Sequence, residues 1–389
     1  MNSKLATYVK NNQALCLLLA TFVFIRLVLL AGSSYEGILG YGDLQTYFHL
    51  SNLPGWPYLN SRAEYHPLFP LNTEGIHGRV SGNQYAFSYT LILMFLIADL
   101  ANIILVHSLA GNTPGGQRKT LLFAVFLCVL PYTWWYFESL VVLLVLLSIY
   151  FLRTNRVYSG AITIAVGALL KLFPLLMVGL FFKKMSLSKF VRATAIVLLM
   201  VSAVYAALWT QWPDFTLASI ASQPSKGSWQ TVWALLDGNL NTGSFGPLAD
   251  RLEPQKAGQL VNNPYRVSPL LTLPLLVGIG WWRTRRHQRS DSVEIQIAFA
   301  GLMWTLFFIW MPGWSPQWVY YLLPLIVLAL PLRTAALVGT TLIFVILLEW
   351  PILLSRGLFW ALPISILLRT FLLVILAIEF DAQLRTNSK

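Results

Sequence analysis

Asp43, Glu64 and His66 fall within one stretch that is otherwise poor in charge. It reads Gly42-Asp43-Leu44-Gln45-Thr46-Tyr47-Phe48, then Gly55-Trp56-Pro57-Tyr58, then Glu64-Tyr65-His66-Pro67-Leu68-Phe69-Pro70. Such alternation of aromatic residues and proline predicts a structured, interfacial loop rather than a flexible tether. Asp43 opens an amphipathic segment, with Tyr47 one helical turn later. A carboxylate held by such a loop above a cavity can take a proton from an attacking hydroxyl, as a general base. An ordinary solvated loop acid is the alternative. Other chemistries find no support. There is no Gly-rich phosphate loop and no zinc-type Cys/His spacing, so neither a nucleotide site nor a metal site is expected. Cys16 and Cys128 lie in apolar runs and read as small packed residues, not a disulfide or a redox pair.

The elements that must carry these residues follow from composition. Of 389 residues, 57% are hydrophobic and only 11% charged. A soluble domain carries about 25% charged residues, so a soluble globular protein is excluded. The apolar content equally excludes disorder. Apolar runs at 14–31, 84–109, 119–131, 138–152, 157–170, 173–183, 190–209, 266–282, 294–311, 318–332, 335–353 and 358–378 predict twelve membrane helices. The fold class expected is an all-α polytopic membrane protein. One integral membrane domain would cover 1–389, with two large outer loops at 32–83 and 210–265. A cleaved signal peptide ending near Ala31-Gly32-Ser33 competes with the first span, but Arg26 inside the run argues for an uncleaved helix.

The net charge of +12 would suggest nucleic acid in a soluble protein; here it is topological and no nucleic acid is expected. With the N-terminus inside, the inner segments hold seventeen of the 27 Lys and Arg, from Lys4 and Lys10 to Arg286, Arg289 and Lys389. Eight fall outside, and ten acidic residues face out against four, Asp291 included, that face in. This asymmetry depends on one choice. Residues 157–182 must divide into two short helices at Lys171-Leu172-Phe173-Pro174, because proline removes a helix donor and restrains its predecessor. Helices that short must dip into a protein-lined, wet cavity. The division therefore predicts a cavity on the outer side, with Lys171 at its edge.

The loop pattern of Asp43, Gly55-Trp56-Pro57-Tyr58 and Glu64-Tyr65-His66-Pro67-Leu68 resembles the first loop of GT-C glycosyltransferases, polytopic enzymes that use polyprenyl-phosphate sugars. The likeness is greatest to the family 87 mannosyltransferases, with some to the catalytic subunit of GPI mannosyltransferase I. Ile25-Arg26-Leu27, Gly167-Ala168-Leu169-Leu170-Lys171-Leu172-Phe173-Pro174 and Trp314-Ser315-Pro316-Gln317-Trp318 through Pro324 resemble further family motifs in the same order. Together they cover most of 20–330. Trp135-Tyr136-Phe137-Glu138 departs from the family's Gly-containing pattern, and Gln317 stands where related enzymes tend to have His.

The resemblance implies inverting transfer of a hexose, mannose above all, from a polyprenyl-phosphate donor to a glycolipid or glycan acceptor. No cofactor is implied, and the chain lacks an Asp-x-Asp motif. Asp43 would be the base. Lys171, and secondly Arg26, would spread the charge growing on the leaving phosphate. Lys171 could instead snorkel to the interface, and Arg26 could pair with Asp43, Glu64 or Glu138. Glu64, Tyr65, His66, Glu138 and Gln317 would contact substrate. The competing structural roles are a loop brace for Glu64, packing beside proline for His66, and a helix cap or a partner for Lys171 in Glu138. Asp99 and Arg369, inside apolar runs, would need buried partners. The Trp-rich second loop could stack on sugar or form an interfacial belt. The protein would reside in the inner or endoplasmic-reticulum membrane with its site on the outer or luminal face. A transporter or lipid-carrier flippase is the rival, although such proteins place midplane sites between repeats and no repeat is visible here.

Overall fold

Away from water a backbone must satisfy its own N–H and C=O groups, and unbroken runs of Leu, Val, Ile and Phe do so as α-helix. The computed structural model describes residues 12–244, 246–285 and 292–386; Lys4, Lys10, Arg286, Arg289, Asp291 and Lys389 lie outside them. The helices are, in order, α1 (Gln13–Gly32), α2 (Tyr35–Leu39), α3 (Leu44–Ser51), α4 (Leu68–Arg79), α5 (Gln84–Ala110) and α6 (Pro114–Val129). Then come α7 (Tyr132–Trp135), α8 (Glu138–Arg153), α9 (Val157–Leu170), α10 (Val178–Lys184), α11 (Leu187–Gln211) and α12 (Pro213–Ser225). The series ends with α13 (Val232–Asp237), α14 (Pro269–Arg285), α15 (Val293–Trp310), α16 (Val319–Ala329), α17 (Leu332–Leu347) and α18 (Leu362–Thr386). Each of the twelve expected apolar runs falls on helix. Among the described residues, six helices are long and apolar enough to cross a membrane unaided.

The short helices are nested among the long ones. Every residue of α16 is buried, whereas α11 buries only Ala193, Val197 and Leu208. An eleven-residue helix reaches about 17 Å, well short of a hydrocarbon core of about 30 Å, so its ends need protein around them. Helix starts are set by polar side chains that accept from otherwise orphaned N–H groups: Asn83 from Ala86, Thr113 from Gly116, Thr231 from Ala234 and Ser292 from Ile295.

At Lys171 the backbone becomes extended (φ −161°, ψ 137°), and a 3₁₀ turn over Phe173–Met177 leads into α10. The returning limb runs antiparallel to α9. A Cβ on Gly167 would stand 2.9 Å from the Pro174 ring, and one on Gly160 would touch Phe181 at 3.5 Å. The expected division at Lys171–Pro174 is therefore a helical hairpin.

The two large loops meet at one end of the bundle, and neither is a tether. Arg62 N–H donates to the Arg251 carbonyl (2.8 Å), Ala63 N–H to Ser219 Oγ (2.9 Å) and Gln223 Nε2 to the Glu64 carbonyl (2.9 Å). At the other end the short basic connections gather. Arg153 donates to the Ser108 carbonyl (2.6 Å), Lys119 to the Leu328 carbonyl (2.8 Å), and Glu294 lies within electrostatic reach of both cations.

Candidate active site

Under the joined loops lies a cavity of about 1250 Å³. Asp43, Glu64, Tyr65, His66, Lys171 and Gln317 all line it, and so do Lys226 and Arg251 of the second loop. Leu172, Leu175 and Leu176 of the hairpin add an apolar wall, with Leu270 of α14 and Phe307 of α15.

Asp43 immediately precedes α3, and its carbonyl accepts the Tyr47 N–H at 2.7 Å. The start of the helix thus fixes the carboxylate. Asp43 Oδ2 accepts from Tyr65 Oη at 3.1 Å. Burial raises this carboxyl to about 6, helped by the nearby Glu138 charge and opposed by the Tyr65 hydrogen bond, Lys171 and Lys226. The phenol of Tyr65 is itself pushed well above its ordinary range, by burial first and then by Asp43. Behind them Tyr47, Phe69 and Phe137 form an aromatic wall, with the Phe69 and Phe137 rings stacked at 4.0 Å.

Lys171 stands at the tip of the hairpin. Its Nζ donates to Glu138 Oε1 at 2.6 Å. The ammonium lies 5.0 Å from the ring centroids of Phe173 and Trp318, 5.5 Å from Phe137 and 5.8 Å from Tyr321. Rings at such distances attract a cation through their negative faces. Glu138 is buried at the start of α8, where it orients Lys171 rather than lining the cavity. Phe137 belongs both to this cage and to the wall behind Asp43, so the acid and the cation share one rigid support.

His66 Nδ1 is 2.6 Å from Tyr205 Oη of α11. Burial, with Lys171 and Lys226 nearby, lowers the imidazole to about 4 and keeps it neutral at physiological pH. Glu64 is ion-paired with Arg251, which braces the first loop against the second. Gln317 sits half-buried in the 3₁₀ turn Pro316–Trp318.

Arg26 requires a correction. The expectation placed it at a donor phosphate, or paired with Asp43, Glu64 or Glu138. It is buried away from the cavity lining, 3.6 Å from Asp99, and donates to Thr133 Oγ1 and the Leu127 carbonyl (2.5 Å). The physical reason is Asp99. A carboxylate in the apolar stretch of α5 needs a cation, and α1 packs against α5 and α6. Asp99 also accepts from Tyr320 Oη at 2.5 Å. Arg369 likewise has its buried partner, Glu349 of the turn after α17.

Two cavity residues were missed from the sequence, Lys226 and Arg251, which count there merely as outer positive charges. The available signal for the first was a lone Lys-Gly step in the uncharged, Ser- and Trp-rich stretch 215–236. Among the described residues, no three His, Cys, Asp or Glu side chains come together as a metal-holding group.

Fold and site together define a polytopic, all-helical membrane protein with an acid–lysine cavity at one end. No family model and no curated protein matches the chain. A solved structure with some similarity is the apo form of the Archaeoglobus fulgidus oligosaccharyltransferase, 12% identical, with a TM-score of 0.44 over 96% of this chain and 55% of that one. The chain thus spans about half the length of that protein.

Proposed function

We propose that the protein is a GT-C-type glycosyltransferase that moves a hexose, mannose above all, from a polyprenyl-phosphate carrier to a hydroxyl of a glycolipid or glycan. The observation that carries this reading is Asp43. A carboxyl whose proton affinity lies near 6 shares one cavity with a caged lysine and an apolar wall. General base catalysis works best when the base has a pKa near the working pH. The acceptor oxygen attacks the anomeric carbon as Asp43 takes its proton. The bond from that carbon to the phosphate oxygen breaks, and the electron pair leaves with the phosphate. Lys171, aimed by Glu138, meets the charge that grows there, as preplaced cations do in water-poor sites. The leucines of the hairpin suit the lipid tail. In this reading His66, Glu64 and Gln317 contact substrate, and the cavity opens on the outer or luminal face.

The test is transfer from a radiolabelled mannosyl-phosphoryl polyprenol in proteoliposomes, with label followed both into acceptor and across the bilayer. Asp43→Asn keeps the shape but cannot accept the proton, and should lower transfer about 10²–10⁴-fold with near-normal expression. Wild-type transfer by Asp43→Asn would remove Asp43 as base. Label crossing the bilayer without transfer would replace the enzyme by a flippase.

A further inference from the structure

A lysine in a surface loop is ordinarily a mobile, solvated charge, and Lys226 is neither. It follows the last residue of α12, and its carbonyl accepts from Asn262 Nδ2 at 2.7 Å. The carbonyl of Ser225, just before it, accepts the Val261 N–H at 3.1 Å. Gly227, just after it, has φ +70°, and a Cβ there would come within 2.9 Å of Asn262 Cβ. Left-handed backbone packed that closely calls for glycine. Ser228 then donates to Asp237 at 2.6 Å, and Trp229 exchanges backbone hydrogen bonds with Pro312 and Trp314. The loop is thus fixed on both sides of Lys226, which lines the cavity.

The position of its charged end is equally constrained. The Lys226 ammonium lies 5.2 Å from the Trp229 ring centroid, on the lining that also holds Asp43, Lys171 and the leucines of the hairpin. Burial and the Lys171 charge lower its proton affinity to about 7, with Asp43 opposing. Two lysines facing one half-buried space repel each other, and an anion between them relieves the repulsion. Lys171 already gives one hydrogen bond to the Glu138 carboxylate, which offsets its charge, so a phosphate bound beside it calls for a second cation.

We propose that Lys226 is a second phosphate-binding residue of the cavity, holding together with Lys171 the phosphate of a lipid-linked ligand. This rests on reading the cavity as a lipid-phosphate site, but not on sugar transfer. Lys226 comes from a different loop than the base, so the phosphate also joins the second loop to the hairpin.

The test is equilibrium binding of radiolabelled farnesyl phosphate to the full-length protein in nanodiscs, with farnesol and inorganic phosphate as comparisons. Losing one charge-assisted contact should make Lys226→Met bind farnesyl phosphate about 10–100-fold more weakly. Lys226→Arg, which keeps the charge, should retain most of the affinity. Farnesol should bind all three proteins alike. The thermal midpoint checks folding, and Lys226→Gln replaces the Met variant if that one unfolds. Unchanged farnesyl phosphate affinity in the folded neutral variant would overturn the proposal, as would equal losses for farnesol. Displacement by inorganic phosphate at equal concentration would overturn the lipid assignment. A Lys226-dependent affinity in a protein that transfers no sugar would uphold the proposal and remove the transferase reading instead.

Discussion

Asp43 must be ionised to accept a proton, and its affinity near 6 sets where that holds. The proposed transfer should therefore fall as pH drops through about 6. Tyr65 donates the hydrogen bond that favours the ionised form. Tyr65→Phe should consequently move the acidic limb of the profile to higher pH, with little loss on the plateau. A kcat/KM profile against pH checks this, and an unmoved limb would detach Tyr65 from the base. The sequence exposed Asp43, Glu64, Tyr65, His66 and Lys171 because polar residues stand out in an aromatic loop or at a proline break. It hid Lys226, since a lysine in an outer loop needs no special explanation. The partner of Arg26 was hidden for another reason: pairing with Asp99 depends on α1 packing against α5, which no local pattern records.

Among the elements, the break at Lys171–Pro174 was legible because proline ends a helix for local, steric reasons. The attachment of the second loop was not. Gln230, with φ +52°, donates to Glu349 Oε1 at 2.7 Å, while Arg369 of α18 pairs with Glu349 and donates to the Gln230 carbonyl. All three are buried, and the Arg369 guanidinium lies 4.9 Å from the Trp314 ring centroid. Gln230 lies 119 residues before Glu349, which in turn lies 20 before Arg369, so the lock exists only after packing. Removing one charge of a buried pair leaves the other uncompensated, at a cost of about 3–5 kcal/mol. Arg369→Met should therefore lower stability by an amount of that order. Arg369→Met combined with Glu349→Leu should recover part of it. Denaturation of the detergent-solubilised variants measures both, and additive losses in the pair would show that the two charges act independently.

For the whole molecule, the helical character of the apolar runs was legible because such runs have no other stable form in lipid, and six of the described helices are long enough to cross it unaided. The nesting of short helices inside long ones was less so, because it depends on which faces meet. The hairpin turns the chain back, so the loop over 210–265 and the turn after α10 belong to opposite ends. In a protein with Cys16 and Cys128 replaced by Ser, Asn241→Cys and Ser186→Cys should react with an impermeant maleimide from opposite sides of the membrane. Both positions are exposed, and labelling of both from one side would refute the arrangement. The joining of the two loops by Glu64, Arg62 and Arg251 also has a meaning for biogenesis. The ribosome releases the carboxylate of the first loop long before it makes the lysine and arginine of the second. Until the later helices are inserted, the early loop has no roof and Asp43 no opposing cation from above. A chain stalled midway through synthesis therefore has an unroofed cavity, and the lining is complete only when the late loop is joined to the early one.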